Sequence, residues 1–93
     1  MQINIDFIDN LLRQGDIEGL IELGAPEDEY HSEAEQIVSA LRELNDDEVN
    51  SNNIAAIISL IWTTSFNLSE EDLLLRTEAI EQTATQILSY RTS

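Results

Sequence analysis

Asn50-Ser51-Asn52-Asn53-Ile54-Ala55-Ala56-Ile57-Ile58-Ser59-Leu60-Ile61-Trp62-Thr63-Thr64-Ser65-Phe66 is the stretch on which the fold turns. Ile54, Ile57, Ile58 and Ile61 recur at helical spacing and form one stripe, while Ala55, Leu60, Trp62 and Phe66 put apolar groups on the other sides. A helix that is hydrophobic nearly all round belongs at the centre of a bundle, or turns one face to another chain. The run of Asn and Ser at 50 to 53 offers it several caps. Its longest unbroken apolar segment, Ile54 to Trp62, is nine residues, and a membrane-spanning helix needs about 20. It is therefore a core helix and not a membrane segment.

Other helical patterns lie on either side of this one. Phe7, Ile8, Leu11 and Leu12 follow two candidate caps, Asn4 and Asp6, and stop at Gly15, which predicts a first helix over about 5 to 14. Asp16 is the expected cap of a short second helix through Ile17, Leu20, Ile21 and Leu23, closed by Gly24 and by Pro26, which cannot continue it. Ser32 with Glu35 three residues on reads as a capping box ahead of Ala34, Ile37, Val38, Leu41 and Leu44. That helix is expected to start at about 30 or 33 and end at 44. Ser69-Glu70-Glu71-Asp72 opens a last helix, with acids where the helix dipole favours them and a seam at Leu73, Thr77, Ile80, Ala84 and Ile87. Asp9 with Arg13, and Asp72 with Arg76, are i,i+4 pairs worth about 0.3 kcal/mol each. No stretch alternates with period two for long enough to form a strand. The expectation is an all-α fold in one domain, residues 1–93, a compact bundle of about four main helices plus one short helix.

Charge is the second feature. The chain has 19 acidic residues against 4 Arg and no Lys, a formal net charge of −15, and a small domain needs a magnitude of only about 2–8 for solubility. Fourteen of the acids precede Val49, and Val49 to Ser69 carries no charged side chain. Such an excess repels itself and invites a basic partner, while it repels nucleic acid and anionic membrane surfaces. With no cysteine there is neither a disulfide framework nor a thiolate metal site. Met1 to Asp6 lacks the positive start of a signal peptide, so a cytoplasmic location is expected.

The run Asp16 to Tyr30, with Glu33 and Ile37 beyond it, resembles the signature of a family of small bacterial all-helical proteins of unknown function, most specifically through Gly24-Ala25-Pro26-Glu27-Asp28-Glu29-Tyr30. Ile17 stands where that pattern has Pro and His31 where it has Asp, so no role of that Asp carries over. The resemblance covers most of the chain and implies a compact helical bundle with no established chemistry. Some small acidic proteins of this kind look like immunity partners of secreted toxins, which is an analogy of class and not of motif.

The densest candidate site is the acidic run Asp16, Glu18, Glu22, Glu27, Asp28, Glu29, Glu33 and Glu35, with Tyr30 and His31 among them. As a partner-binding face it would present carboxylates around an aromatic anchor. As plain structure, its acids would favour the start of the third helix while Tyr30 packs on Leu20 or Leu23. The dipole accounts for two or three acids and not for eight. Glu27, His31 and Glu35 are spaced i, i+4, i+8 and would share a face of a continuous helix, yet the histidine is alone and Ser32 as a cap breaks the register. No metal and no cofactor are expected. There is no nucleophile elbow, no phosphate loop and no oriented partner for the histidine, and five aromatic residues do not line a sugar cleft. An enzyme is not expected. Trp62 and Phe66 read either as core or as the seam of a homodimer.

These readings converge on an acidic protein-interaction module. Its most concrete form is an immunity protein that neutralises a basic toxin such as a nuclease, with a nucleic-acid mimic and an uncharacterised metal-binding protein or enzyme as alternatives.

Overall fold

The computed structural model describes residues 3–18, 23–24 and 29–92, the last two by backbone alone. Along the chain run α1 (Ile5–Gly15), α2 (His31–Arg42), a 3-10 turn (Asp46–Glu48), α3 (Ser51–Phe66) and α4 (Glu70–Thr92). Among the described residues there is no strand, and the fold is an all-α bundle.

Local chemistry sets most of the boundaries. Asn4 is the cap of α1, its side chain accepting the Asp6 N–H at 2.7 Å. Asn50 does the same for α3, accepting the Asn53 N–H at 2.8 Å. Ser69 and Asp72 cap α4 reciprocally, at 3.2 and 3.3 Å. The 3-10 turn, where the sequence predicts the chain to turn through Asn45, Asp46 and Asp47, is closed by the Asn45 N–H donating to Glu48 Oε1 at 2.9 Å. Asn53 Nδ2 then ties this turn to α3 through the Glu48 carbonyl at 2.7 Å.

Three boundaries differ from expectation. Asp16 does not open a helix: it closes α1 in the left-handed region at φ 41°, its N–H bonded to the Leu12 carbonyl at 2.9 Å. Ile17 and Glu18 follow in a turn, and most of the expected short helix, residues 19–22, lies outside the described residues. Ser32 is not a cap either. The helix α2 starts two residues earlier than that cap would allow, at His31 after Tyr30, and has no side-chain cap, because Tyr30 is drawn fully into the core and that burial sets where the chain enters the helix. At its far end α2 stops at Arg42, short of Leu44. Gly24 takes φ 103°, a conformation that side chains disfavour.

The apolar helix α3 packs against α2 and α4, and α1 closes the bundle against the same two helices. Ile54, Ile58 and Trp62 are fully buried, with Ile8 and Leu12 from α1, Ala34, Ile37 and Leu41 from α2, and Ile80, Ala84 and Ile87 from α4. The α4 seam departs from its expected course at Thr77, which is exposed, while Thr83 is buried with its hydroxyl donating to the Ala79 carbonyl at 2.9 Å. Arg76, the preceding residue, turns inward instead. The radius of gyration of 12.5 Å matches the roughly 12 Å of a compact domain this long. Among the described residues no helix is long and apolar enough to cross a membrane.

Burial predicts a clear contrast within α3. Ile58→Ala, at a fully buried site, should cost about 2–5 kcal/mol in urea denaturation. Leu60→Ala, where the side chain is 70% exposed, should change stability by no more than about 0.5 kcal/mol.

Candidate interaction surface and the polar network beneath it

Two of the acids expected on the surface are turned inward. Glu18, in the turn after α1, accepts the Trp62 indole N–H on Oε1 at 2.9 Å, and Arg76 grips both its oxygens, Nε on Oε1 and Nη2 on Oε2, the latter at 2.8 Å. The Glu18 side chain is 10% exposed and that of Arg76 23%. Arg76 Nη1 also donates to the Asp72 carbonyl at 2.7 Å. The guanidinium is held above its ordinary pKa chiefly by the Glu18 hydrogen bond, against the opposing effect of burial, with the charges of Glu18 and Asp72 adding. The expected Asp72–Arg76 side-chain pair is thus replaced. Asp72 spends its carboxylate on the Ser69 N–H, and Arg76 reaches across to α1's trailing turn.

Asp16 lies beside this network and accepts the Tyr30 hydroxyl at 2.6 Å. Tyr30 has no exposed surface; its ring stacks on Trp62 at 5.7 Å between centroids and meets Phe66 edge-on at 6.4 Å. Tyr30 is therefore a core residue and not an anchor offered to a partner. Leu23, one of its expected packing partners, is 83% exposed. Trp62 is likewise buried and makes no dimer seam, and Phe66 is half-buried against it at 5.2 Å.

The remaining predicted acids divide by depth. Glu29 and Glu35 are exposed, as is His31, while Glu22, Glu27 and Asp28 lie outside the described residues. Glu33 is 9% exposed, its Oε2 is enclosed, and that oxygen has no hydrogen-bond partner. His31 Nε2 sits 3.1 Å from Glu35 Oε1 one turn along α2, and its Nδ1 is 3.8 Å from Asp9 Oδ1 on α1. Asp9 in turn faces Arg13 at 3.9 Å, the i,i+4 pair expected from the sequence. Among the described residues no group of three or more His, Asp or Glu side chains is placed to hold a metal ion.

Surface acidity is broader than the sequence suggests. Glu43, Asp46, Asp47 and Glu48 are all exposed at the corner between α2 and α3, and Glu70, Glu71, Glu78 and Glu81 are exposed along α4. Arg42 is the one cation classed as exposed among the described side chains. The groove between α3 and α4 is lined mainly by Ser51, Ala55, Ala56, Ser59, Thr77 and Glu81, with no histidine and no acid pair. No family model, no curated protein and no solved structure matches the chain.

The network makes Glu18 a test of structure and not of surface charge. Glu18→Ala leaves a partly buried guanidinium and an indole N–H without their acceptor and should destabilise by about 1–3 kcal/mol. A double-mutant cycle of Glu18→Gln and Arg76→Gln in urea should show positive coupling of about 1–3 kcal/mol.

Proposed function

We propose that this chain is an acidic protein-interaction module, in its most concrete form an immunity protein that binds and neutralises a basic toxin such as a nuclease. The observation that carries the reading is the surface left after the inward-facing acids are set aside. Exposed carboxylates remain on α2, on the corner after it and on α4, against a single exposed arginine among the described side chains. A nuclease must be basic to hold phosphates, and an acidic inhibitor reaches such a surface fast by electrostatic steering. Glu29 and Glu35, with the corner acids, are its contact residues; Asp16, Glu18 and Tyr30 hold the scaffold that presents them. The proposed setting is the cytoplasm.

The nucleic-acid mimic is kept as a second reading because of one observation: exposed acids extend to α4 and are not confined to the N-terminal half. A mimic needs such a spread. The two readings part on selectivity, since an immunity protein has one cognate partner with apolar contacts that survive salt, and a mimic cross-reacts.

Capture from native lysate at low salt, with elution by rising salt, tests both. The expected result is one basic protein leaving late, whose nuclease activity the purified chain inhibits. Glu29→Lys with Glu35→Lys should weaken that binding at least about tenfold and flatten its salt dependence. Unchanged binding by the reversed chain would sink the interface reading, and retention of many unrelated nucleic-acid enzymes would favour the mimic.

A further inference from the structure

The α3 helix keeps one face open to solvent. Asn53, Ala56, Leu60 and Thr64 follow one another at intervals of three and four, are all exposed, and form one stripe along it. Leu60 stands in the middle of that stripe and is 70% exposed. No charged side chain occurs between Val49 and Ser69, so the stripe is neutral on a chain whose net charge is −15. Beside it runs the groove between α3 and α4, walled by Ala55, Ala56 and Ser59 on one helix and by Thr77 on the other. Among the described residues of that lining only Glu81 is charged. Leu74, two turns before Glu81 on the same side of α4, is 72% exposed.

Much of the polar inventory of this face is already spent. The Thr64 hydroxyl donates to the Leu60 carbonyl at 3.0 Å, that of Thr77 to the Leu73 carbonyl at 3.1 Å and that of Thr85 to the Glu81 carbonyl at 3.0 Å, each one turn back along its own helix. Asn53 Nδ2 is held by the Glu48 carbonyl at 2.7 Å. Covering the face strands none of these donors, whereas an exposed carboxylate loses its water when it is buried.

We propose that this face is where a second copy of the chain docks, α3 against α3 across a two-fold axis. Charge selects the occupant. Two chains of this net charge repel wherever their acidic surfaces meet, and they approach with least repulsion through the neutral stripe. A basic partner is drawn to the acids of α2, of the corner and of α4, and gains no attraction from an uncharged helix. Shape selects it too. A two-fold interface brings the same patch to both sides, and this patch holds a projecting leucine next to a groove walled by small residues, so that Leu60 of each copy meets the groove of the other. Trp62, about 200° round the helix from Leu60, stays in the core. The stripe lies on a helix of 16 residues. At a length of about 24 Å it covers less than the roughly 800 Å² per partner of a durable complex, so the dimer is weak, with a dissociation constant on the order of 0.1 mM. At the dilution of a denaturation experiment the chain is then a monomer, in keeping with the small effect expected there of Leu60→Ala. The proposal does not rest on the toxin-binding reading.

Sedimentation equilibrium of the full chain, from about 10 μM to 1 mM and in about 0.05 M and 0.5 M NaCl, tests it. A monomer–dimer equilibrium is expected that tightens at least about fivefold in the higher salt, because salt screens the repulsion between like-charged copies. Capture of a basic partner has the opposite salt dependence. Leu60→Glu should weaken the dimer at least about tenfold with helicity and melting temperature unchanged. Leu75→Glu carries the same net charge, alters a side chain 83% exposed that lines no part of the groove, and should leave the dimer as tight as in the parent. A chain that stays monomeric in both salts, a dimer that salt loosens, or an equal loss in the two variants overturns the proposal. So does a Leu60→Glu chain that still dimerises but no longer captures a basic partner, which would give the face to that partner. A salt-strengthened dimer with nothing captured removes the toxin-binding reading and leaves this face, and a captured partner beside a strictly monomeric chain removes this face alone.

Discussion

The constraint on which the rest of this structure depends is that α3 carries no charge and almost no polar face. Its apolar stripe of Ile54, Ile58, Ile61 and Trp62 must be covered, and here α2 and α4 both pack against α3 while α1 packs against those two helices, closing a ring of four. The large net charge is tolerated because it is kept off this element. The acids sit on the flanking helices and corners, where water and counterions screen them, and the buried cluster of isoleucines around Trp62 supplies the stabilising burial.

Within that frame the Glu18 carboxylate is the polar link between three parts of the chain. It joins the turn after α1 to the indole of α3 and the guanidinium of α4. Buried ion pairs add little net stability when desolvation is counted, but breaking one is costly, so such a pair specifies where elements sit more than how tightly they hold. The Tyr30 hydroxyl on Asp16 works in the same way at the entry to α2. Two acids that contribute to the overall charge thus serve the fold, whereas Glu33 Oε2 and Asp9 Oδ1 are enclosed without such a donor.

Where a boundary is made by groups within a few residues of one another, the sequence was a good guide. Asn50 and Ser69 cap as their positions suggest, because a cap is a bond between a side chain and an N–H two or three residues on. Where a distant group competes, local pattern misled. Ser32 sits in a plausible capping box, but burying Tyr30 is worth more than one exposed cap, so the helix begins before it. Thr77 fits a 4,3,4,3 seam, but the inward turn belongs to Arg76, about 100° round the helix, because its partner Glu18 lies there. Asp72 and Arg76 have the spacing of an ion pair, yet each found a better partner.

The sequence by itself determined the all-α class, the buried stripe of α3, most helix limits and the excess of negative charge, all of which follow from composition and from the 3.6-residue period; that α3 has two helical neighbours and an exposed face, and is not a central helix, was decided by the packing. Only the tertiary structure decided which acids are surface and which are scaffold. Glu18 lies 44 residues from Trp62 and 58 from Arg76, and no spacing rule reaches that far. Burial is a property of what packs against a side chain, so Glu29 and Glu33, four residues apart in one acidic run, end on opposite sides of the protein surface.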